Sequence, residues 1–192
     1  MTPGCIPRYT PQFFCGVTLT PWIRRYGKMP LAGSPLEWYG RRRFELNDSV
    51  CIGPRSWLAV NDIGECKTPG GSIGDRSRQG HYNHIFAVGK ISIGKDVLTV
   101  DHVYIADTPH KYADSETPVI RQRMLGENSI GDGSWSGENV YVFGAKGGKH
   151  CVIDANPVVN KDVPDYCVAI GAPAKVIRHY DSAEQVWKSV KA

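Results

Sequence analysis

The sequence lacks any uninterrupted apolar run of the roughly 18 residues that a membrane-spanning helix requires. We therefore expect no transmembrane segment. The stretch from Met1 to Pro30 is rich in proline and contains no continuous apolar core, so we expect no secretion signal there. Together these absences predict a cytoplasmic protein.

The sequence also lacks a strong charge of one sign and any C-x-x-C pair. Its net charge is +4, which is too small to indicate a nucleic-acid partner but suits an anionic small molecule or glycan. Six scattered cysteines favour reduced thiols over disulfides. His81 and His84, with Cys66 upstream, are too loosely spaced to predict a zinc site, so no metal is expected.

What the sequence does contain is a repeat with a period of six. Three segments begin with Ile-Gly, and the residues six and twelve positions after each isoleucine form a series with it. The series are Ile73, Gln79 and Ile85; Ile93, Thr99 and Ile105; and Ile130, Ser136 and Val142. Small or β-branched residues recur four positions after the starts. They are Ser56, Ser77, Val97, Val103, Ser134, Val140, Cys151 and Val163.

A period of six matches neither a helix nor simple strand alternation. It is what a triangular coil of parallel strands requires, with one residue per flat side pointing to the axis and stacked coils burying a continuous core. Gln79, Thr99 and Ser136 take inward positions that an aliphatic residue usually fills, so each should need a polar partner or water. Gly147, in the last coils, should leave the axis underfilled.

The repeat divides the chain into three expected regions. Residues 1–45 carry no repeat and should form an N-terminal capping segment, whose aromatic side chains cover the first coil. Those aromatic residues are Phe13, Phe14, Trp22, Trp38, Tyr39 and Phe44. Residues 46–180 should form the β-helix, interrupted by a protruding loop over 107–129. Residues 181–192 are predicted to form a short C-terminal α-helix, capped by Ser182 and Gln185.

Four segments carry a family resemblance: 101–112, 130–140 with its Trp-x-Gly sequence, 160–166 and 171–178. They resemble the hexapeptide-repeat acyltransferases, in the branch of maltose, galactoside and surface-polysaccharide O-acetyltransferases. The resemblance implies an all-β, left-handed parallel β-helix. It also implies a homotrimer with active sites between adjacent subunits, which transfers acetyl from acetyl-CoA to a hydroxyl of a sugar or polysaccharide.

The resemblance also implies roles for individual residues. His110 would be the general base, because an imidazole takes and returns a proton near neutral pH, and Asp107 would orient it. The residues implied at the CoA site are Trp135, Gly137, Gly144, Asn160, Lys161, Lys175 and Arg178.

Some alternatives remain open at this stage. One is an N-acetyltransferase acting on an amino sugar, and another is a non-catalytic β-helix scaffold. The basic run Arg41-Arg42-Arg43 is either solvated surface or a contact for an anionic glycan or phosphate.

Overall fold

The computed structural model describes the backbone of residues 13–15 and, with side chains, residues 23–34, 36–108, 110–122 and 126–190. Within these residues the protein is a triangular column whose three sides are sheets, which we call A, B and C. Helical structure in them is limited to the 3-10 turns Arg41–Arg43 and Val119–Arg121. The all-β prediction is confirmed.

The chain visits the sheets in the order A, C, B, and its strands are numbered along the chain. Sheet A contains β1 (Phe13–Cys15), β3 (Leu31–Gly33), β6 (Cys51–Ile52), β9 (Arg78–Gln79), β12 (Leu98–Thr99), β15 (Trp135–Ser136), β18 (Val152–Ile153), β20 (Cys167–Ile170), β21 (Lys175–Asp181) and β22 (Val186–Ser189). Sheet B contains β2 (Arg25–Tyr26), β5 (Phe44–Leu46), β8 (Gly70–Ile73), β11 (Lys90–Ile93), β14 (Glu127–Ile130) and β17 (Lys146–Gly147). Sheet C contains β4 (Glu37–Tyr39), β7 (Trp57–Val60), β10 (His84–Ala87), β13 (Tyr104–Ala106), β16 (Tyr141–Phe143) and β19 (Val158–Val159).

Strand register confirms the six-residue repeat. Strands of successive coils pair in parallel, so that Ile73, Ile93 and Ile130 align in sheet B, while Ile85 and Ile105 align in sheet C. These inward side chains are at most 5% exposed and form one continuous core. The small residues predicted at the corners are buried as well, which lets the chain turn sharply between sheets.

The inward polar residues of sheet A behave in two ways. The Thr99 hydroxyl donates to Oε1 of Gln79 at 2.9 Å and accepts from Nδ2 of Asn83 at 2.8 Å. The Ser136 hydroxyl is buried and has no partner in the described residues. It borders a cavity of about 10 Å³ that Gly147 also lines, so the predicted underfilling of the axis is confirmed.

The boundary predicted at residue 45 is wrong, because regular coils begin earlier. Strands β2, β4 and β5 already stack in sheets B and C. Phe44 is fully buried inside the column, and Gly71 in the next coil makes room for it, since a Cβ there would overlap its ring. Trp38 packs edge-on against Phe44 with ring centroids 5.5 Å apart. The side chains of Phe13, Phe14 and Trp22 lie outside the described residues.

The predicted C-terminal helix is also wrong. β21 and β22 form an antiparallel hairpin that continues sheet A beyond β20. Asp181 Oδ1 accepts from the backbone N–H groups of Ala183 and Glu184, and Gln185 adopts a left-handed φ of 55°. These contacts close a tight turn where the capping box was expected. Residues 191 and 192 lie outside the described part of the chain.

The three corners of the column differ in regularity. The corners between sheets A and C, and between B and A, are short turns in the repeating coils. The corner between sheets C and B, which we call the C–B corner, carries the additional residues. Its segments are 40–43, 61–69, 88–89, 107–126, 144–145 and 160–162. Variation in the chain is therefore concentrated along one edge of the column.

Candidate active site at the C–B corner

His110 lies at the C–B corner, in the long segment that leaves the column after β13. Its exposed side chain lines a pocket of about 370 Å³. The other lining residues are Ile63, Phe86, Tyr104, Thr108, Ile120, Arg121 and Gln122. Phe86 and Tyr104 supply a half-buried aromatic floor from the outer face of sheet C. The pocket thus combines apolar walls with an imidazole, an amide and a guanidinium.

The two ends of the loop are fixed by buried polar side chains. On the exit side, the carboxylate of Asp107 accepts from the backbone N–H groups of Val88 at 2.7 Å and Gly89 at 2.9 Å. On the return side, Nδ2 of Asn128 donates to the carbonyls of the adjacent coils, Ala106 and Val142. These hydrogen bonds attach both ends of the loop to the column.

The expected orientation of His110 by Asp107 is not formed in the described residues. Asp107 is fully buried and points to the preceding coil, while His110 is exposed. Burial raises the pKa of the Asp107 carboxyl, and the two backbone N–H donors oppose that rise. The Asp107 carboxylate therefore binds the backbone of Val88 and Gly89 rather than the His110 ring.

A neighbouring insertion, 61–69, forms the other wall of the pocket. Ile63, in this segment, lines the His110 pocket. Glu65 in the same segment lies 3.8 Å from Nζ of Lys111, and Asp62 binds the guanidinium of Arg43 at 2.7 Å. The 61–69 segment therefore contacts both the loop that carries His110 and the 3-10 turn Arg41–Arg43 of an earlier coil.

Sequence reasoning missed Ile63, Phe86, Tyr104 and Gln122 as pocket residues. A signal was present for Ile63. Counting in steps of six leaves surplus residues between Val60 and Gly70, and a surplus must leave the column at a corner. Phe86 and Tyr104 carried no comparable signal, because outward positions of a coil follow no apolar rule.

The residues implied for CoA fall into two groups. Gly144, Asn160 and Lys161 lie at the C–B corner, on the coils that follow the loop of His110. The second group lies on sheet A or at its edge, on the side of the triangular column opposite the C–B corner. It comprises Trp135, Gly137, Lys175 and Arg178. One chain therefore does not bring the two groups together.

Comparison with solved structures establishes the class of fold. The AntD N-acyltransferase from Bacillus cereus, solved with dTDP and 3-hydroxybutyryl-CoA, superposes with a TM-score of 0.76 over 90% of this chain and 92% of that chain, at 14% identity. PerB from Caulobacter crescentus, solved with CoA and GDP-perosamine, gives 0.56 over 79% and 58%, at 18% identity. The fold is the left-handed parallel β-helix of the sugar acyltransferases, as predicted.

Sequence relatives carry acetyltransferase names. Galactoside O-acetyltransferase of Escherichia coli K12 is 32% identical over 102 residues, covering 50% of this chain and 47% of that protein. WbbJ of the same organism, provisionally assigned as a lipopolysaccharide O-acetyl transferase, is 32% identical over 123 residues, covering 59% and 63%. A provisionally assigned acetyltransferase of Mycobacterium tuberculosis is 35% identical over 127 residues, covering 64% and 42%. The chain thus spans less than two thirds of the length of each.

No protein-family model matches the chain. Within the described residues, no cluster of three or more His, Cys, Asp or Glu side chains has the arrangement to hold a metal ion. The same part of the chain contains no helix that is long and apolar enough to cross a membrane. The four cysteines whose side chains are described, Cys51, Cys66, Cys151 and Cys167, are free thiols.

Proposed function

We propose that the protein is a CoA-dependent O-acetyltransferase that acetylates a hydroxyl group of a sugar or surface polysaccharide. The observation that carries the proposal is the pocket at the C–B corner, where an exposed histidine stands over an aromatic floor on an acyltransferase fold. The O-acetyltransferase names of two sequence relatives favour a hydroxyl acceptor. The proposed compartment is the cytoplasm.

The proposed reaction is a direct transfer. His110 takes the proton of the acceptor hydroxyl, and the oxygen attacks the thioester carbonyl of acetyl-CoA. The carbon–sulfur bond then breaks, and the imidazolium returns its proton to the departing CoA thiolate. Phe86 and Tyr104 present flat apolar surfaces on which a sugar ring can stack, while Gln122 and Arg121 offer hydrogen-bond donors at the rim.

We further propose that the active site is shared between subunits of a homotrimer. His110 and the sheet A residues Trp135, Lys175 and Arg178 lie on opposite sides of one column. Packing the C–B corner of one subunit against sheet A of its neighbour would bring them together. The cofactor would then contact Asn160 and Lys161 from one side and Lys175 and Arg178 from the other.

An amino-sugar acceptor is the second candidate. It is favoured by the fold likeness to AntD, which is an N-acyltransferase. The chemistry separates the two candidates, because an amine is a better nucleophile and depends less on a base. A matched pair of acceptors, a sugar and its amino-deoxy analogue, decides between them through their relative kcat/KM values.

The central experiment compares His110→Asn with His102→Asn, a matched exposed histidine at the corner between sheets A and C. Release of the CoA thiol from acetyl-CoA is measured with a panel of sugars and glycans. His110→Asn should lower kcat by at least about a hundredfold, as expected for loss of a general base, while His102→Asn should not. Equal activity in both variants would refute the assignment of the base. Absence of acetyl-CoA binding by the native protein would instead support a non-catalytic scaffold.

The shared site has a separate test. Sedimentation equilibrium should give the mass of a trimer. After mixing and reassembly, His110→Asn chains and Lys175→Gln/Arg178→Gln chains should regain part of the native activity, because some hybrid sites receive both intact contributions. A monomeric mass, or no rescue although mixing is proven, would reject the shared site.

A further inference from the structure

A second pocket of about 370 Å³ lies at the same corner, on the coil that contains β4. Its lining residues are Trp38, Tyr39, Gly40, Arg41, Arg42 and Arg43. Three arginines and two aromatic residues therefore line one shallow, open depression, in which Asp62 binds the guanidinium of Arg43. The acyl transfer proposed above uses none of them.

The backbone of this pocket is specifically shaped. Gly40 adopts a left-handed φ of 68°, and a Cβ at this position would overlap the carbonyl oxygen of Val60 in the next coil. The chain then tightens into the 3-10 turn, in which the N–H of Arg43 donates to the Gly40 carbonyl at 2.9 Å. The turn gathers consecutive arginines that an extended strand would send to opposite faces.

The arginine pocket is physically linked to the His110 pocket. Arg43 is held by Asp62, and the next residue, Ile63, lines the His110 pocket. Strand order in sheet C places β4 three coils before β13, so the two pockets are separated by roughly 14 Å along the column at the usual strand spacing. An acceptor that reaches both must be longer than one pyranose ring.

We propose that the pocket of residues 38–43 binds a diphosphate ester on the acceptor, anchoring it while a sugar hydroxyl reaches His110. The proposal rests on the proposed function for its link to acetyl transfer. Guanidinium groups bind phosphate oxygens through paired hydrogen bonds. Tyr39, whose side chain is 60% exposed, provides a ring that can stack on the group attached to the diphosphate. The net charge of +4 favours such an anionic acceptor.

The test begins with binding, which needs no catalysis. Calorimetry measures the dissociation constants of inorganic pyrophosphate and of inorganic phosphate for the native protein and two double variants. Arg41→Gln/Arg42→Gln removes two charges from the pocket. Arg25→Gln/Lys90→Gln, the control variant, removes two exposed charges from sheet B. Far-UV circular dichroism and thermal midpoints verify that both variants fold.

The native protein should bind pyrophosphate more tightly than phosphate. Arg41→Gln/Arg42→Gln should weaken pyrophosphate binding by at least about tenfold, because each lost hydrogen bond to a charged group contributes on that order. The control variant should keep native affinity. Equal losses in both variants, or equal affinity for phosphate and pyrophosphate, would mean general attraction by net charge and would overturn the proposal.

Acceptor assays then separate the sources of the diphosphate and the two proposals. A nucleoside diphosphate sugar and a water-soluble short-chain prenyl diphosphate sugar are compared as acceptors. The arginine variant should raise KM for whichever is used relative to the control variant. Pyrophosphate binding without any acetyl transfer would refute the proposed acetyltransferase function but support the diphosphate site. Acetyl transfer with the same acceptor KM in the two variants would support the proposed acetyltransferase function and refute the diphosphate site.

Discussion

The two inward glycines of sheet B should respond in opposite ways to one added methyl group. Gly147 and Gly71 both lie in strands with negative φ, so alanine fits the backbone at either position. Their surroundings differ. A Cβ on Gly147 would lie 3.3 Å from the carbonyl oxygen of Ser129 and beside the cavity of about 10 Å³, whereas a Cβ on Gly71 would overlap the ring of Phe44.

The magnitudes follow from these contacts. Replacing glycine by alanine in a compatible conformation stabilises a protein by about 0.4–1 kcal/mol through the unfolded chain. A buried methyl group adds about 0.8 kcal/mol, part of which the close approach to Ser129 offsets. We expect Gly147→Ala to gain about 1 kcal/mol in unfolding free energy. Overpacking of a filled core costs about 1–3 kcal/mol, so Gly71→Ala should lose stability.

Urea titration and thermal unfolding followed by circular dichroism measure both effects. A change of 1 kcal/mol shifts the thermal midpoint by about 2–4 °C in a chain of this size. Gly147→Ala should raise the midpoint by about that amount, and Gly71→Ala should lower it. A fall in both variants would refute the reasoning that the axis is underfilled near Ser136. Unchanged stability in Gly71→Ala would refute the close packing of Phe44.

Three further predictions concern polar groups. Thr99→Val should cost about 2 kcal/mol or more in urea unfolding, since Gln79 and Asn83 lose their partner, whereas Ser136→Ala should be neutral or stabilising because its hydroxyl has none. A larger loss in Ser136→Ala would contradict this. Asp107→Ala should leave two buried N–H groups unpaired and so lower the unfolding free energy by about 2–4 kcal/mol. It should also speed tryptic cleavage within residues 110–122. Unchanged cleavage would contradict the role of Asp107 in attaching the loop to the column. The hydrogen bond from Lys188 lowers the pKa of Asp181 in the folded protein. The ionised Asp181 therefore stabilises the fold at pH values above the pKa that this residue has in the unfolded chain. This stabilisation is lost as the pH falls through the lower pKa of the folded protein. Asp181→Asn should therefore lower the thermal midpoint at neutral pH. The difference in midpoint between the native protein and the variant should shrink below about pH 3.9. A difference that stays constant with pH would refute the role of the ionised carboxylate.

The repeat was predictable because each coil places one side chain per side on the axis, and the axis accepts mainly aliphatic residues. The first coils escaped notice because Trp38 and Phe44 fill the axis there and Gly71 yields space to Phe44. A search for aliphatic residues at intervals of six does not detect pairs in which a large residue in one coil is accommodated by a small residue in the next. Their volumes become related only when the coils are stacked.

The C-terminal prediction failed for a different reason. The spacing of Ala183, Val186 and Val190 does match one face of a helix, but β21 offers an open strand edge for pairing. Trp187 packs against Tyr180 across the hairpin with ring centroids 5.4 Å apart. Tertiary pairing outweighed a weak local helical preference.

The candidate site was predictable only in part. The resemblance to the O-acetyltransferases singled out His110, and the structure puts its side chain in a pocket. The expectation for Asp107 relied on nearness in sequence. Strand alternation from the inward Ile105 would instead have placed Asp107 on the interior side, where the structure has it.

In the described part of the chain, the long insertions lie at the C–B corner, and this has a consequence for how such a protein changes over time. Each coil packs only on its neighbours, and lengthening a flexible loop costs only about 0.6 kcal/mol for each doubling of its length. Segments such as 61–69 and 107–126 can therefore lengthen, shorten or be exchanged while the interior of the column stays the same. Selection for a new acceptor would act on one edge of the molecule, and selection for folding on the other two.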